Sequence, residues 1–200
     1  MNYVIEHLEP ELDEWSTLEY LNIAKHVDNR LWLTHLDSHL IRNLPSSIEA
    51  SEIKRTESNI LELCQSNAIE FDKVLLLDPA SQVELSPQDA SQFKFLLFGG
   101  ILGDDPPRDR TKELRKFGFQ SRHLGPIQMT TDTAVLVAQQ VLEHQKPLES
   151  LNFVDKPEIK LGKKESVQLP FRYLVNDDGA PTLPDGLLAL IRKSNELSLN

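Results

Sequence analysis

One cysteine, Cys64, stands in 200 residues. No intramolecular disulfide can form, and the chain suits a reducing compartment, where such a residue most often packs as a small apolar side chain. A cytoplasmic protein is expected. Long apolar runs are missing as well, since nothing approaches the ~20 residues that span a bilayer, and the opening MNYVIEHLEPELDEW carries neither a basic n-region nor an apolar h-region. Positive charge is in deficit: 21 Lys+Arg against 31 Asp+Glu leave −10, which repels phosphate backbones and favours cationic partners. Stable nucleic-acid binding is therefore not expected. The chain has no G-x-G-x-x-G, no G-x-x-x-x-G-K-[ST] and no G-x-S-x-G, which removes support for dinucleotide binding, triphosphate binding and elbow-type nucleophilic catalysis. His35 and His39 have H-x-x-x-H spacing but fall at a strand end without a third ligand, so no metal site is expected.

What is present is an alternation of short apolar runs and amphipathic stretches. Tyr3–Leu8 reads as a strand; Asp13–Val27 then places Trp15, Leu18, Leu21, Ala24 and Val27 at helical spacing. A second strand follows at Leu31–Leu36. Ser46 with Glu49 three residues on signals a capped helix, whose spacing of Ile53, Ile60, Leu61 and Cys64 predicts a span to about Asn67. Val74–Leu77 and Phe95–Phe98 are unbroken apolar runs typical of strands covered on both faces of a parallel sheet. Ser86-Pro87-Gln88-Asp89 starts a short helix between them. Thr111–Lys116 reads as a helix, Phe119–Leu124 as a strand, and Thr130 or Thr131 as the cap of a helix to about Gln145. From about Leu148 the texture becomes extended, with segments at Asn152–Val154 and Val167–Val175, a turn at 176–179 and a short helix at Leu187–Lys193. The expected fold is thus an α/β core over 1–147, with its ligand site at the carboxyl ends of its strands, followed by a β-rich extension over 148–200.

Three strand-to-loop junctions point to that edge: the first at Leu77-Asp78-Pro79, the second running from Phe98 to Pro107, the third from His123 to Thr133. The chain's eight glycines include Gly99, Gly100, Gly103 and Gly125 at these junctions, where bare backbone lets amides and carbonyls approach a ligand. Tight βα turns need glycine too, but three such loops on one edge favour a ligand.

The segments YVIEH at 3–7, EW at 14–15, LEY at 18–20, FGGILGDDPPRDRTKEL at 98–114, MTTDTA at 129–134 and LPFRYL at 169–174 closely resemble the fungal SPOUT-fold protein arginine methyltransferases that modify a small-subunit ribosomal protein. The resemblance spans nearly the whole chain and is weakest over Ser46–Gln65. It implies a C-terminal-half trefoil knot, a rare exception to the rule against threading, and S-adenosylmethionine as cofactor, released as S-adenosylhomocysteine. It places the adenosine among backbone groups of Leu77 and Asp78, of Gly99, Gly100, Ile101, Leu102 and Gly103, and of Leu124, Gly125, Ile127 and Met129, with Thr133 in the turn that would close the knot. Residue chemistry agrees, because an adenine needs apolar walls such as Leu102, Leu124, Ile127 and Met129 plus a few backbone hydrogen bonds.

Methylating arginine imposes a further demand. A guanidinium of pKa ~12.5–13.8 arrives charged, so a carboxylate must hold it in a forked pair and receive its proton. Candidates are Glu6, Glu19, Asp104 and Asp105. Glu19 stands four residues from both Trp15 and Ile23 on an otherwise apolar stripe, which is either a buried functional position or the solvated edge of the helix. Asp104-Asp105 follows the cofactor loop directly, though Asp before Pro-Pro is also common turn chemistry. Arg108, Asp109 and Arg110 read more readily as a local ion-pair cluster than as contacts to the cofactor carboxylate. Six carboxylates and no Lys or Arg fall in the first twenty residues, which is either a solvated face or a dock for a basic ribosomal protein. Two rivals remain: an RNA methyltransferase on the same fold, which should carry a basic face, and a ribosome-binding module that lost the chemistry. A monomer is expected, with the C-terminal extension covering the surface through which many knotted relatives dimerise.

Overall fold

The structure, a computed structural model, describes residues 1–100, 109, 111–162 and 165–198. Asp104, Asp105, Ile101, Leu102 and Gly103 lie outside the described residues.

Six strands form a parallel sheet: β1 (Asn2–His7), β2 (Leu31–Thr34), β3 (Lys54–Arg55), β4 (Val74–Leu77), β5 (Phe95–Gly100) and β6 (Gln120–Arg122), in the order β3-β2-β1-β5-β4-β6. Strand side chains alternate between two faces, and both faces are buried. Tyr3, Ile5, Leu31, Leu33, Leu75, Leu77, Leu96 and Phe98 point to one face, where α1 (Glu14–Val27) brings Tyr20, Ile23 and Val27 and α6 (Thr131–Leu142) brings Val135, Ala138 and Val141. Val4, Val74, Leu76 and Leu97 point to the other, against Ile60 and Leu63 of α4 (Ile60–Gln65) and Leu114 of α5 (Thr111–Arg115). Burial on both faces explains why β4 and β5 read as unbroken apolar runs.

Two short helices, α2 (Ser38–Arg42) and α3 (Ser46–Glu49), lead from β2 to β3. The helix predicted from Ser46 to about Asn67 is therefore not one helix. Its first turn forms, but Arg55 donates through Nη1 to the Ile48 carbonyl at 2.5 Å and the chain extends to pair β3 with β2. A second start signal, unread in the sequence, sits at Asn59: its side chain accepts from the Glu62 amide while Glu62 accepts from the Asn59 amide. β2 stops at Thr34, before the predicted Leu36, because His35 turns to φ +61°. The predicted helix to Gln145 ends at Leu142, and Gln145 lies at φ +56°.

Beyond residue 148 come two antiparallel pairs, β7 (Phe153–Asp155) with β10 (Arg172–Leu174) and β8 (Glu158–Lys160) with β9 (Ser166–Gln168), then α7 (Leu187–Ser198). The single extended segment predicted over Val167–Val175 is broken between β9 and β10, and β8 went unread. This extension has an apolar cluster of its own, with Leu161, Leu169, Phe171, Tyr173, Leu187 and Ile191 packed against Trp15 and Leu18 of α1. Lys25 to Asp185 at 2.8 Å and Lys193 to Glu14 at 3.2 Å add ion pairs to the same junction. The extension thus braces the helix that carries Glu19.

Candidate active site

Strand order sets where a ligand can enter. From β1 the chain runs through α1 to β2 and β3 on one side, whereas β5, β4 and β6 fill the other. In open parallel sheets the crevice beyond the carboxyl ends at such a reversal is the usual binding place. Here it is flanked by Glu6 and His7 at the end of β1 and by their register partners Gly99 and Gly100 at the end of β5. Leu77 and Asp78 end the adjoining β4, and the β6–α6 loop follows.

Glu6 is 2 % exposed. Its Oε2 accepts from Thr34 Oγ1 at 2.5 Å and from the Ile60 amide at 3.0 Å, so it ties β1 to β2 and supplies an acceptor to the first turn of α4. His35 Nδ1 lies 4.0 Å from the other oxygen. Burial raises the Glu6 pKa above the usual carboxylate range, outweighing these contacts. Beside it His7, also buried, shares a hydrogen bond of 2.9 Å between Nδ1 and Tyr20 Oη, and burial lowers its pKa, favouring the neutral ring.

Asp78 is buried with its carboxylate spent. Arg115 forks onto it, Nε to Oδ2 at 2.6 Å and Nη2 to Oδ1 at 2.8 Å, and Thr111 Oγ1 and the Ala80 amide donate to Oδ1. Its backbone is used too: the amide donates to Arg122 O and the carbonyl accepts from Ser81. Asp78 therefore fixes the start of α5. Asp109 pairs with the same Arg115 at 3.1 Å; Arg108 and Arg110, the other members of the expected ion-pair cluster, lie outside the described residues. Arg122 is likewise committed, to Asp89 at 2.8 Å.

Leu77 and Phe98 are buried in the large apolar core on the α1 and α6 face of the sheet, and Leu124 and Met129 of the β6–α6 segment pack partly buried against it. Gly125 in that loop sits at φ +91°, favoured by glycine, and the position of a Cβ there would be open. Ile127 is 39 % exposed. The Gly125 amide donates to His123 Nδ1 at 3.0 Å, and apolar side chains beside such a turn are the kind of surface an adenosine requires. Thr130 caps α6, and its hydroxyl donates to Thr133 Oγ1 at 2.8 Å, an inward tie that keeps the Thr133 side chain buried.

Glu19 proves to be buried, at 2 % exposure, and not on a solvated edge. Trp15 Nε1 donates to its Oε1 at 2.7 Å, and the amides of Thr131 and Asp132 also donate to it, so the carboxyl of α1 caps α6. Burial raises its pKa well above the usual range, and the nearby Asp132 charge raises it further. Asp132 went unread although it lies within MTTDTA. Asn22 Nδ2 donates to its Oδ2 at 2.8 Å, and burial raises this carboxyl as well. A signal was available: asparagine at 22, three residues beyond Glu19, continues a polar line on the apolar face of α1. The structure thus brings Glu6 to the β1–β5 crevice and Glu19 to the N-terminus of α6.

The family described as protein arginine N-methyltransferase SFM1-like matches residues 2–198. The protein arginine N-methyltransferase SFM1 of Saccharomyces cerevisiae is 37 % identical over 209 residues, covering 100 % of this chain and 98 % of its own. The crystal structure of yeast SFM1 complexed with SAM superposes with a TM-score of 0.91 at 38 % identity, covering 98 % of this chain and 91 % of that one. A Trm10 from Thermococcus kodakaraensis shares the fold at a TM-score of 0.53 and 17 % identity, over 74 % of this chain and 95 % of its own.

Proposed function

Because the chain belongs to the SFM1-like family of protein arginine N-methyltransferases, we propose that it monomethylates an arginine of a basic small-subunit ribosomal protein in the cytoplasm. S-adenosylmethionine-dependent methylation of protein arginine is its class of reaction. The observation that supports the reading is that the carboxyl ends of the strands and the adjoining start of α6 hold buried carboxyls, Glu6, Glu19 and Asp132, that meet no lysine or arginine among the described residues, near the partly buried Leu124 and Met129.

Bound S-adenosylmethionine supplies a sulfonium carbon electrophile. Leu77, Leu124 and Met129 would hold its adenosine at the Gly125 turn. The protein's own task is alignment, since in-line attack demands placement more than acid–base power. A carboxylate holds the guanidinium, turns one nitrogen lone pair toward the methyl, and draws off the proton as the N–C bond forms and the S–C bond breaks. Glu19 is the leading carboxylate among the described residues, because it lies beside a second buried carboxyl, Asp132, at the N-terminus of α6, whereas Glu6 ties β1 to β2 and to the start of α4. The RNA rival is disfavoured by the charge of −10. A monomer is the proposed working form.

Purified protein incubated with labelled S-adenosylmethionine and, separately, RNA-stripped small-subunit proteins and bulk RNA tests this. Label in one basic protein, mapped by mass spectrometry to monomethylarginine, is the expected result. Label in RNA alone, or cofactor binding without transfer, would overturn the reading in favour of its rivals.

A further inference from the structure

Glu19 and Asp132 are two carboxyls on packed elements, α1 and the first turn of α6, exposed by 2 % and 1 %. Their hydrogen-bond donors are neutral: the Trp15 indole, the Asn22 amide, the Thr130 hydroxyl and the α6 amides. Among the described residues neither forms an ion pair with Lys, Arg or His. Two buried polar atoms on packed elements lack a hydrogen-bond partner, Asp132 Oδ1 on α6 and Tyr173 Oη on β10, the latter residue 1 % exposed. Tyr173 senses both carboxyls, whose charges add to burial in suppressing its acidity.

This grouping is poorly explained by stability. A buried acceptor or hydroxyl without a partner costs about 1–3 kcal/mol, and well-packed apolar residues are often as stable as a buried ionic group. Three elements nevertheless bring two carboxyls and an unbonded phenol together at the N-terminus of α6, immediately after the loop that carries Gly125 and Met129. What they lack is a cation with several N–H donors.

We propose that Glu19, Asp132 and Tyr173 form the seat of the substrate guanidinium, with Asp132 Oδ1 and Tyr173 Oη as the acceptors that its N–H groups complete. The assignment rests on the arginine-methylation reading and adds two substrate-contacting residues to it. It also implies a proton count. The titratable groups facing the seat are Glu19 and Tyr20 on α1, the phenol sensing the charges of Glu19 and of Asp13 before the helix, Asp132 on α6, and Tyr173 on β10. All are acidic, so the free seat retains a proton to higher pH than isolated carboxyls do, and an entering cation releases it.

The Trp15 indole N–H, bonded to Glu19, is a reporter that does not depend on turnover. In the full chain, titration with methylguanidinium chloride should shift the Trp15 Nε1–H resonance saturably while Trp32 stays fixed, and methylammonium at equal ionic strength should not. Asp132→Asn should abolish that shift and raise KM for the protein substrate by about tenfold to a hundredfold, the range expected for losing one charged hydrogen bond; S-adenosylmethionine affinity should hold. Tyr173→Phe removes a hydroxyl that supports nothing in the free fold, so it should keep or raise Tm while raising KM about threefold to tenfold. It therefore decides the matter if Asp132→Asn fails to fold. The KM of wild type should fall as pH rises through the titration of the pair, and this dependence should vanish in Asp132→Asn. No saturable indole shift, with KM unchanged in Tyr173→Phe, would overturn the seat. A saturable shift without any methyl transfer would instead leave the seat standing and overturn the functional reading.

Discussion

Asp78 and Glu19 are both buried carboxyls, yet their surroundings push them in opposite directions. The Arg115 fork and the Ala80 and Thr111 donors overcome desolvation at Asp78 and hold its pKa below the usual value. Such a group stabilises the fold above its unfolded pKa of about 3.9 and loses that contribution as pH falls through the lower folded value. Asp78→Asn should cost about 1.5–3 kcal/mol near pH 7, and its deficit against wild type should shrink below about pH 4; chemical denaturation at the two pH values checks this. At Glu19 the sign reverses. With the folded pKa raised, the native state keeps a proton that the unfolded chain has lost, so stability falls as pH rises above about 4.3. Glu19→Gln should flatten that fall and lower kcat/KM by about 10–150-fold while leaving S-adenosylmethionine affinity intact, because the amide keeps the volume and loses the charge. Turnover at the wild-type rate would return attention to Glu6. The stripe of α1 named Glu19 from its spacing alone. It left burial open, because the donors that make a buried carboxyl tolerable come from Thr131 and Asp132, more than a hundred residues away.

Elements were legible where one short window holds both the pattern and its stop signal. Helix α1 follows Asp13, whose carboxylate accepts from the Ser16 amide at 2.7 Å, and its apolar stripe meets the sheet. β4 and β5 are apolar throughout and bounded by Pro or Gly. The region from Ser46 to Gln65 resisted because β3 has only two residues, both exposed, and exists through pairing with β2. Apolar spacing across Ile53 and Ile60 mimicked one helix while those side chains entered clusters on opposite faces of the sheet. The Asn59–Glu62 box is the true start of α4. Asn59→Ala should therefore cost about 1 kcal/mol, read as a lower Tm. Glu6 still accepts from the Ile60 amide, so the loss should stay near that figure; a much larger loss would show that the box alone holds α4 against the sheet.

For the molecule as a whole, the formal charge of −10 is acidic, but the acidic start of the chain is dispersed differently in the fold from its appearance in sequence. Glu6 and Glu19 are buried, Asp13 caps α1, and Glu14 pairs with Lys193 of α7. Glu11, Asp13 and Glu14 stay exposed between the end of β1 and the first turn of α1, the same end of the sheet at which Glu19 meets α6. Long-range attraction between this rim and a basic protein acts on encounter more than on the bound state. It weakens as the Debye length shortens from about 30 Å at 0.01 M salt to about 8 Å at 0.15 M. Over that range kcat/KM should fall while S-adenosylmethionine affinity changes little, because the proposed cofactor contacts are apolar and backbone in character. Glu11→Lys should lower kcat/KM about twofold to fivefold at low salt and flatten its salt dependence, since rim charges alter on-rate and screening together. If kcat/KM is independent of ionic strength and Glu11→Lys matches wild type, the exposed acids are a solvated surface only, and substrate recognition lies in the buried seat alone.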